Sequence, residues 1–272
     1  MLTDITIGQF FPGSSPLHRM DPRVKLVVIF AYIVLIFIPH NWWGLLLCVA
    51  YLLAGVLLSG LPFRLIFRSI KPILPLIVLT TLLNVFYISG GQTLVQWQFI
   101  HITTGGVGNA VFIAVRIVAL IIGSSLLTYT TSPTTLTDAL ERLMSPLNLL
   151  HVNVHEISMM MTIALRFIPT LIEETDKIMS AQKARGADLE SGGLVQRVKA
   201  LVPVLIPLFV SAFRRACDLA TAMECRCYRG GEGRTRMKQL HMRRSDFVFL
   251  GSAVVLCAAL ITLNILLPSS LI

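Results

Sequence analysis

Charge is scarce in this sequence of 272 residues, and the scarcity decides its class. Asp, Glu, Lys and Arg make up 14% of the residues, whereas soluble domains carry about 25%. Apolar residues make up 55%, above the roughly 45–50% of soluble domains. Residues 247–272 contain no charged residue at all. A soluble globular protein is therefore excluded, and we expect an integral membrane protein.

The sequence also lacks the motifs of common catalytic and metal-binding classes. It has no G-x-x-x-x-G-K-[ST] phosphate loop, the nearest stretch being residues 230–235, so any ATP has to be bound by another chain. It has no H-E-x-x-H zinc motif. His151 and His155 lie four residues apart beside Glu156, but no further ligand completes a recognised pattern. We interpret them as solvated polar positions and expect no cofactor and no metal in this chain.

Five cysteines, an odd number, form no recognisable disulfide framework. Two lie in apolar runs and three in the charged segment: Cys48 and Cys257, and Cys217, Cys225 and Cys227. In the charged segment the only nearby fourth metal ligand is His241, and the spacing matches no usual zinc pattern. We therefore expect reduced, packed thiols.

Apolar runs of spanning length occur in five places. A hydrocarbon core about 30 Å thick needs roughly 20 helical residues. The runs are Val24–Pro39, Trp42–Leu61, Pro72–Tyr87, Val107–Tyr129 and Phe247–Leu267. They predict an all-α integral membrane protein with four spans in residues 1–131 and a fifth in residues 247–272. Between the third and fourth runs, apolar and polar residues alternate over 92–103, which predicts a strand or hairpin on the outer face.

Basic residues predict the orientation in the membrane. They precede the first run and separate the second from the third: Arg19, Arg23 and Lys25, then Arg64, Arg68 and Lys71. Residues 39–42 and 88–106 contain no Lys or Arg. The positive-inside rule then predicts a multi-pass protein of the cell membrane with a cytoplasmic N-terminus and an extracellular C-terminus. The net charge of +9 is expected to face anionic lipid rather than nucleic acid.

The charged residues are concentrated in the segment 132–246, which holds 28 of the 37. Its helical periodicity predicts a cytoplasmic module of amphipathic helices. We expect a short helix from Pro133 to about Ser145 and two longer ones, Leu165–Arg185 and one beginning near Pro207. In the last helix an apolar stripe faces one way and polar residues, Arg215 among them, face the other. Small residues on that stripe permit a close helix crossing: Ala212, Ala216 and Ala220.

The two long helices end alike, each with an arginine between two small residues. The ends read Ala184-Arg185-Gly186 and Cys225-Arg226-Cys227. A single arginine at such a position commonly complements the helix dipole. Its repetition favours a pair of docking points, because a guanidinium can bind a carboxylate through two hydrogen bonds that a lysine does not reproduce.

On these stretches the chain resembles the transmembrane (T) component of energy-coupling factor (ECF) transporters. The matching stretches are residues 8–25 (GQFFPGSSPLHRMDPRVK), 130–133 (TTSP), 165–169 (LRFIP), 184–186 (ARG) and 222–228 (AMECRCY). The resemblance implies a non-catalytic subunit that couples two ABC ATPase subunits, which bind ATP and Mg²⁺, to a separate membrane S component. The S component binds the substrate, and the N-terminal stretch favours vitamins over a dedicated nickel or cobalt system.

The resemblance also assigns roles to residues. It implies that Arg185 and Arg226, with their neighbours, dock into the ATPase subunits. The Ala212, Ala216 and Ala220 surface is expected at a helix crossing or against the S component. The second motif departs from the family pattern, since Cys225 and Cys227 stand where alanine and glycine are commoner.

Two other functions stay open from the residues alone. A self-sufficient permease would need several polar intramembrane features, of which only Arg116 is clear. Alternatively, Arg116 has a purely structural role inside the helix bundle, with Asn84 or Asn109 as its partner. A membrane-embedded enzyme would need clustered carboxylates at one membrane face, and the one such cluster lies on the polar side of a helix: Glu173, Glu174 and Asp176.

Overall fold

A computed structural model of the chain describes residues 10–87, 93–97, 100–150, 153–187, 193–230 and 240–267. Its helices are α1 Pro16–Arg19, α2 Pro22–Leu35, α3 Trp42–Ser59, α4 Phe63–Ile70, α5 Leu74–Tyr87, α6 Thr104–Thr130, α7 Pro133–Met144, α8 Val154–Ala184, α9 Leu194–Cys225 and α10 Arg244–Leu266. A 3₁₀ turn covers Ser145–Leu150. The expected class, an all-α integral membrane protein, is confirmed.

A short hairpin precedes α6. The strands β1 Thr93–Trp97 and β2 Ile100–Thr103 pair antiparallel, with Trp97 opposite Ile100. The predicted strand pairing is therefore confirmed for residues 93–97 and 100–103, whereas residues 92, 98 and 99 lie outside the described residues. The Thr103 side chain then caps α6 by accepting a hydrogen bond from the backbone N–H of Gly106 at 3.1 Å.

The number of spanning elements agrees with the predicted five, but the set differs. In the described part of the chain, four stretches are long and apolar enough to cross a membrane: Trp42–Ser59, Thr104–Thr130, Val198–Cys225 and Arg244–Leu266. The pair α4 and α5, bent by 59°, makes a fifth candidate. Thus the predicted third span is one arm of a bent pair, and Val198–Cys225 lies in the segment predicted to be cytoplasmic. The division of the chain into two membrane regions, residues 1–131 and 247–272, and a cytoplasmic module between them stays a prediction.

The predicted first span is shorter than expected. Helix α2 has 14 residues, which is about 21 Å at 1.5 Å per residue. It ends at Leu35 rather than Pro39, and the backbone N–H groups of Phe37 and Ile38 bond carbonyls only three residues back. The cause is the proline, since the residue that precedes a proline is disfavoured in the α region.

The described residues fall into two compact units, one containing residues 10–139 with 240–267 and the other residues 140–230. The core of the first unit draws on α2, α3, α6 and α10, with Ile36, Leu45 and Leu260 almost fully buried. Gly123 of α6 lets the ring of Tyr32 approach closely, because a Cβ there would lie 2.9 Å from the ring.

The second unit is built on α8 and α9, and both helices are longer than predicted. Helix α8 begins at Val154 rather than Leu165, and α9 begins at Leu194 rather than near Pro207. Prolines lie inside both helices: Pro169 in α8, and Pro203 and Pro207 in α9. A proline removes one backbone donor and kinks a helix, but here it does not end one. Treating Pro207 as a helix start was therefore wrong.

Candidate subunit-docking site

Helices α8 and α9 run antiparallel and are joined at two places. The Gln182 amide Nε2 donates to the Pro203 carbonyl at 3.3 Å. Glu174 accepts hydrogen bonds from the Ser211 hydroxyl and, at 3.0 Å, from the Arg215 guanidinium. Glu174 of α8 pairs with Ser211 of α9, and Gln182, eight residues later on α8, pairs with Pro203, eight residues earlier on α9. The two helices therefore run in opposite directions.

This pairing places the two arginine motifs at opposite ends of the helix pair. Continuing the register sets Arg185 beside about position 200 of α9, whereas Arg226 ends that helix. The intervening stretch of about 26 residues corresponds to about 40 Å along the α9 axis at 1.5 Å per residue. The two motifs are therefore too far apart to form one site, and they can serve two separate partners.

The end of α8 is a Schellman motif with Arg185 at the C-cap. The backbone N–H of Gly186 donates to the Lys183 carbonyl at 2.9 Å, and that of Ala187 to the Gln182 carbonyl at 3.0 Å. Gly186 has a φ of +86°, in the left-handed region that glycine adopts without a Cβ penalty. The chain therefore turns sharply just after the arginine.

The end of α9 repeats this geometry without a glycine. Arg226 is the C-cap, and the N–H groups of Cys227 and Tyr228 donate to the carbonyls of Glu224 at 2.8 Å and Met223 at 3.0 Å. Cys227 has a φ of +56°, and among the described residues it is the one non-glycine with a positive φ. The cysteine thus occupies the left-handed position that Gly186 holds in the first motif.

All six residues of the two motifs are exposed: Ala184, Arg185, Gly186, Cys225, Arg226 and Cys227. Neither arginine side chain forms a hydrogen bond or ion pair with another described residue. The expectation of packed thiols is wrong for Cys217, Cys225 and Cys227, which are free and exposed, whereas Cys48 is buried. The sequence pattern missed this because α9 presents that part of its surface to no other described element.

The three alanines of the α9 stripe differ in exposure. Ala212 is half-buried, whereas Ala216 and Ala220 are exposed. They continue an exposed apolar face on which the rings of Phe209 and Phe213 stack at 6.3 Å. Arg215, predicted on the polar face opposite the stripe, is the residue through which that face contacts α8, because Glu174 binds it.

One of the three clustered carboxylates of α8, Glu174, is bound by groups of α9. The pKa of Glu174 is lowered, first by the hydrogen bond from Ser211 and then by the Arg215 guanidinium, so this group is an ion-pair partner. His155 contacts Glu141, with 3.0 Å between Nδ1 and Oε1, and His151 lies outside the described residues. Within the part of the chain that the structure describes, no three His, Cys, Asp or Glu side chains are arranged to hold a metal.

Arg116 has partners other than the two predicted amides. Its guanidinium donates to the Pro39 carbonyl at 2.7 Å and lies 4.8 Å from the Phe112 ring centroid. Asn84 donates instead to the Thr80 carbonyl of its own helix. Arg116 therefore fastens α6 to the turn between α2 and α3, where Pro39 cannot continue the helix.

A buried polar network was not predicted from the sequence. Lys25 is 2% exposed, and its Nζ donates to the Thr130 carbonyl and the Thr131 hydroxyl, each at 3.0 Å. Asp246, 1% exposed, accepts from the backbone N–H groups of Asp21 at 3.3 Å and Arg243 at 2.7 Å. The network joins residues 8–25 to 130–133, two of the stretches that carried the resemblance.

The comparisons with known proteins agree with the resemblance. The family model CbiQ, described as "Cobalt transport protein", matches residues 13–237. The chain belongs to the family of ECF transporter T components. Two relatives named "Energy-coupling factor transporter transmembrane protein EcfT" come from Ruminiclostridium cellulolyticum and Bacillus subtilis. The first is 52% identical over 94% of this chain and 95% of its own length. The second is 44% identical over 97% of this chain and 100% of its own length.

Family membership fixes the coarse function. A third relative of the same name, from Clostridium kluyveri, is 51% identical over 96% of this chain and 98% of its own length. The chain is therefore a multi-pass membrane subunit of an ECF-type transporter.

Proposed function

We propose that this T-family chain is a non-catalytic transducer between two ABC ATPase subunits and a substrate-binding S component. The observation that carries the proposal is the pair of matching helix ends. Each presents an exposed arginine at a C-cap, and the two lie at opposite ends of one antiparallel helix pair. Two equivalent anchors about 40 Å apart suit two copies of a similar partner rather than one small ligand.

Each anchor has the chemistry to hold a protein partner. A guanidinium binds a carboxylate through two parallel hydrogen bonds, and small neighbours leave room for it to enter a groove. The left-handed residue after each arginine turns the backbone away, so the arginine ends its helix. ATP and Mg²⁺ then belong to the ATPase subunits, since this chain has no phosphate loop.

The exposed apolar face of α9 is the proposed surface for the S component. Phe209 is 62% exposed and Phe213 67% exposed, and Ala216 and Ala220 extend the face toward the helix end. Exposed apolar patches of this kind commonly mark protein or membrane contacts. Closure of the ATPase subunits would displace the two anchors, and packed helices pass such displacements on as rigid-body shifts. The substrate, a vitamin or other micronutrient, is bound by the S component.

The proposal is tested by Arg185→Lys, Arg226→Lys and the double change in the reconstituted transporter. Lysine keeps the charge but loses the bidentate geometry, and one hydrogen bond to a charged group is worth about 1.5–3 kcal/mol. We expect each single change to weaken ATPase association about tenfold or more, as measured by co-purification, with uptake falling in parallel. The double variant should be weaker still.

Two control variants make the experiment specific. Arg214 is exposed on α9 but lies away from the helix end, so Arg214→Lys should change neither association nor uptake. Ala216→Trp should reduce uptake while ATPase association survives, because it crowds only the apolar face. Wild-type complex yield and uptake in the double arginine variant would contradict the docking role. Tight stoichiometric vitamin binding by the chain alone would favour the self-sufficient permease.

A further inference from the structure

We propose that the membrane unit holds one acyl chain of an anionic phospholipid in a cavity between α2, α3, α6 and α10. The cavity has a volume of about 300 Å³. Its walls are nearly all apolar and include Val28, Leu52, Gly55, Leu58, Leu126 and Val248. This site is independent of the arginine motifs, which lie in the other compact unit.

The cavity opens to an exposed apolar surface of the unit. Leu58 is 47% exposed and Val248 is 71% exposed, although both line the cavity. They belong to α3 and α10, two helices long and apolar enough to cross a membrane. A cavity with apolar walls and an opening on such a surface is accessible to an acyl chain, while a polar solute would find few partners inside.

One end of the cavity lies beside charged residues of α2 and α10. Lys25 lines it, and two of its three N–H donors are used by Thr130 and Thr131. Its ammonium is held by these two threonines and lies near the buried carboxylate of Asp246, so Lys25 lines the cavity with its apolar stem.

Further positive charge lies at the same end of the unit. Arg244, which is exposed, lies one helical turn before Val248 on α10, so both are on one face of that helix. Arg19 directly precedes Met20, another residue of the cavity wall. An apolar cavity with exposed arginines at one end matches a molecule with an acyl chain and an anionic headgroup, and the surrounding bilayer supplies anionic phospholipids.

The test uses the purified full-length chain, stripped of lipid and titrated in detergent under native mass spectrometry. The probes are phosphatidylglycerol, phosphatidylcholine with the same acyl chains, and oleate. We expect one phosphatidylglycerol per chain to survive at detergent concentrations that remove the rest, with at least fivefold lower retention of the other two. Arg244→Gln should reduce the preference for phosphatidylglycerol over phosphatidylcholine.

Filling the cavity should abolish this binding. A Cβ at Gly55 would meet only Leu126, at 3.8 Å, so Gly55→Leu can enter the cavity without a backbone clash. Gly251→Leu is the matched control, because Gly251 is exposed on α10 with no atom within 4 Å of its Cβ position. Retention should fall at least fivefold in Gly55→Leu and stay unchanged in Gly251→Leu. Ala54→Phe, at a second wall residue, repeats the test if Gly55→Leu folds poorly.

Three outcomes would overturn the proposal. Equal retention in Gly55→Leu and Gly251→Leu would mean that only annular lipid is bound. Equal retention of phosphatidylglycerol and phosphatidylcholine by the wild-type chain would remove the role of Arg19 and Arg244. Preferred retention of oleate would identify a fatty-acid site instead.

Discussion

Replacing Cys227 by glycine should stabilise the end of α9. An L-residue in the left-handed conformation costs roughly 1–2 kcal/mol, and Cys227 has a φ of +56°. Glycine removes that cost but increases the entropy of the unfolded chain, by about 0.4–1 kcal/mol. The difference leaves a net stabilisation of about 0.5–1 kcal/mol, which is a factor of about 2–5 in the local opening equilibrium, since 1.4 kcal/mol is tenfold.

The assay is hydrogen exchange at the amides that close the two turns. The Tyr228 N–H is bonded to the Met223 carbonyl and the Ala187 N–H to the Gln182 carbonyl, so each reports one helix end. Cys227→Gly should raise the protection of the Tyr228 amide about two- to fivefold. The reciprocal change, Gly186→Cys, should lower the protection of the Ala187 amide by a similar factor. Gly186 has open space around its Cβ position, so only the backbone conformation is tested.

A third variant separates backbone strain from loss of the thiol. Cys227→Val also removes the thiol, but a β-branched residue is a genuine outlier at positive φ, so protection at Tyr228 should fall below that of the wild type. Lower protection in Cys227→Gly, or unchanged protection at Ala187 in Gly186→Cys, would refute the argument that the two ends share a left-handed turn.

The remaining predictions concern the two polar networks. Asp246→Ala leaves the backbone N–H groups of Asp21 and Arg243 without their acceptor, and a buried unsatisfied donor costs about 1–3 kcal/mol. The thermal midpoint of the chain should therefore fall clearly, while Asp218→Ala, at an exposed site on α9, should leave it almost unchanged. The pKa of Glu174 is lowered, so its stabilising effect is present above its unfolded pKa and is lost as pH falls through the folded value. Ser211→Ala should therefore reduce the acid-dependent loss of stability in thermal scans between pH 6 and pH 3, and unchanged pH dependence would exclude this contribution.

The lengths of the apolar runs predicted how many spanning elements to expect, but not where each begins and ends. The runs Trp42–Leu61 and Val107–Tyr129 became α3 and α6 because no proline interrupts them. The runs beside Pro39 and Pro72 were misjudged, since the apolar character of a run does not reveal the loss of a backbone donor. Conversely, the prolines inside α8 and α9 were given too much weight, because packing can outweigh a helix-interior penalty of about 3 kcal/mol.

The two arginine motifs were visible in the sequence because their signal is local. An arginine between small residues after a long periodic stretch indicates a helix end, and both α8 and α9 end where the motifs are. The conformation of Cys227 was not predictable from the sequence. Glycine is the usual residue at the left-handed position after a helix, and only the backbone geometry shows that a cysteine adopts that conformation here. The contact between the elements holding Lys25, Thr130 and Asp246 was also hidden, because periodicity within one segment carries no information about residues more than a hundred positions away.

The proline that misled the prediction for α9 also explains how the helix pair is held together. Pro207 has no N–H, so the Pro203 carbonyl, four residues earlier, lacks its usual intrahelical donor. Gln182 of α8 supplies a donor to that carbonyl. The second connection, at Glu174, lies eight residues away on α8, or about 12 Å. Two connections at different heights prevent the helices from sliding past each other and therefore fix the separation of Arg185 and Arg226. A displacement at either arginine then has to move the whole pair, which is the property that the proposed role between two ATPase subunits requires.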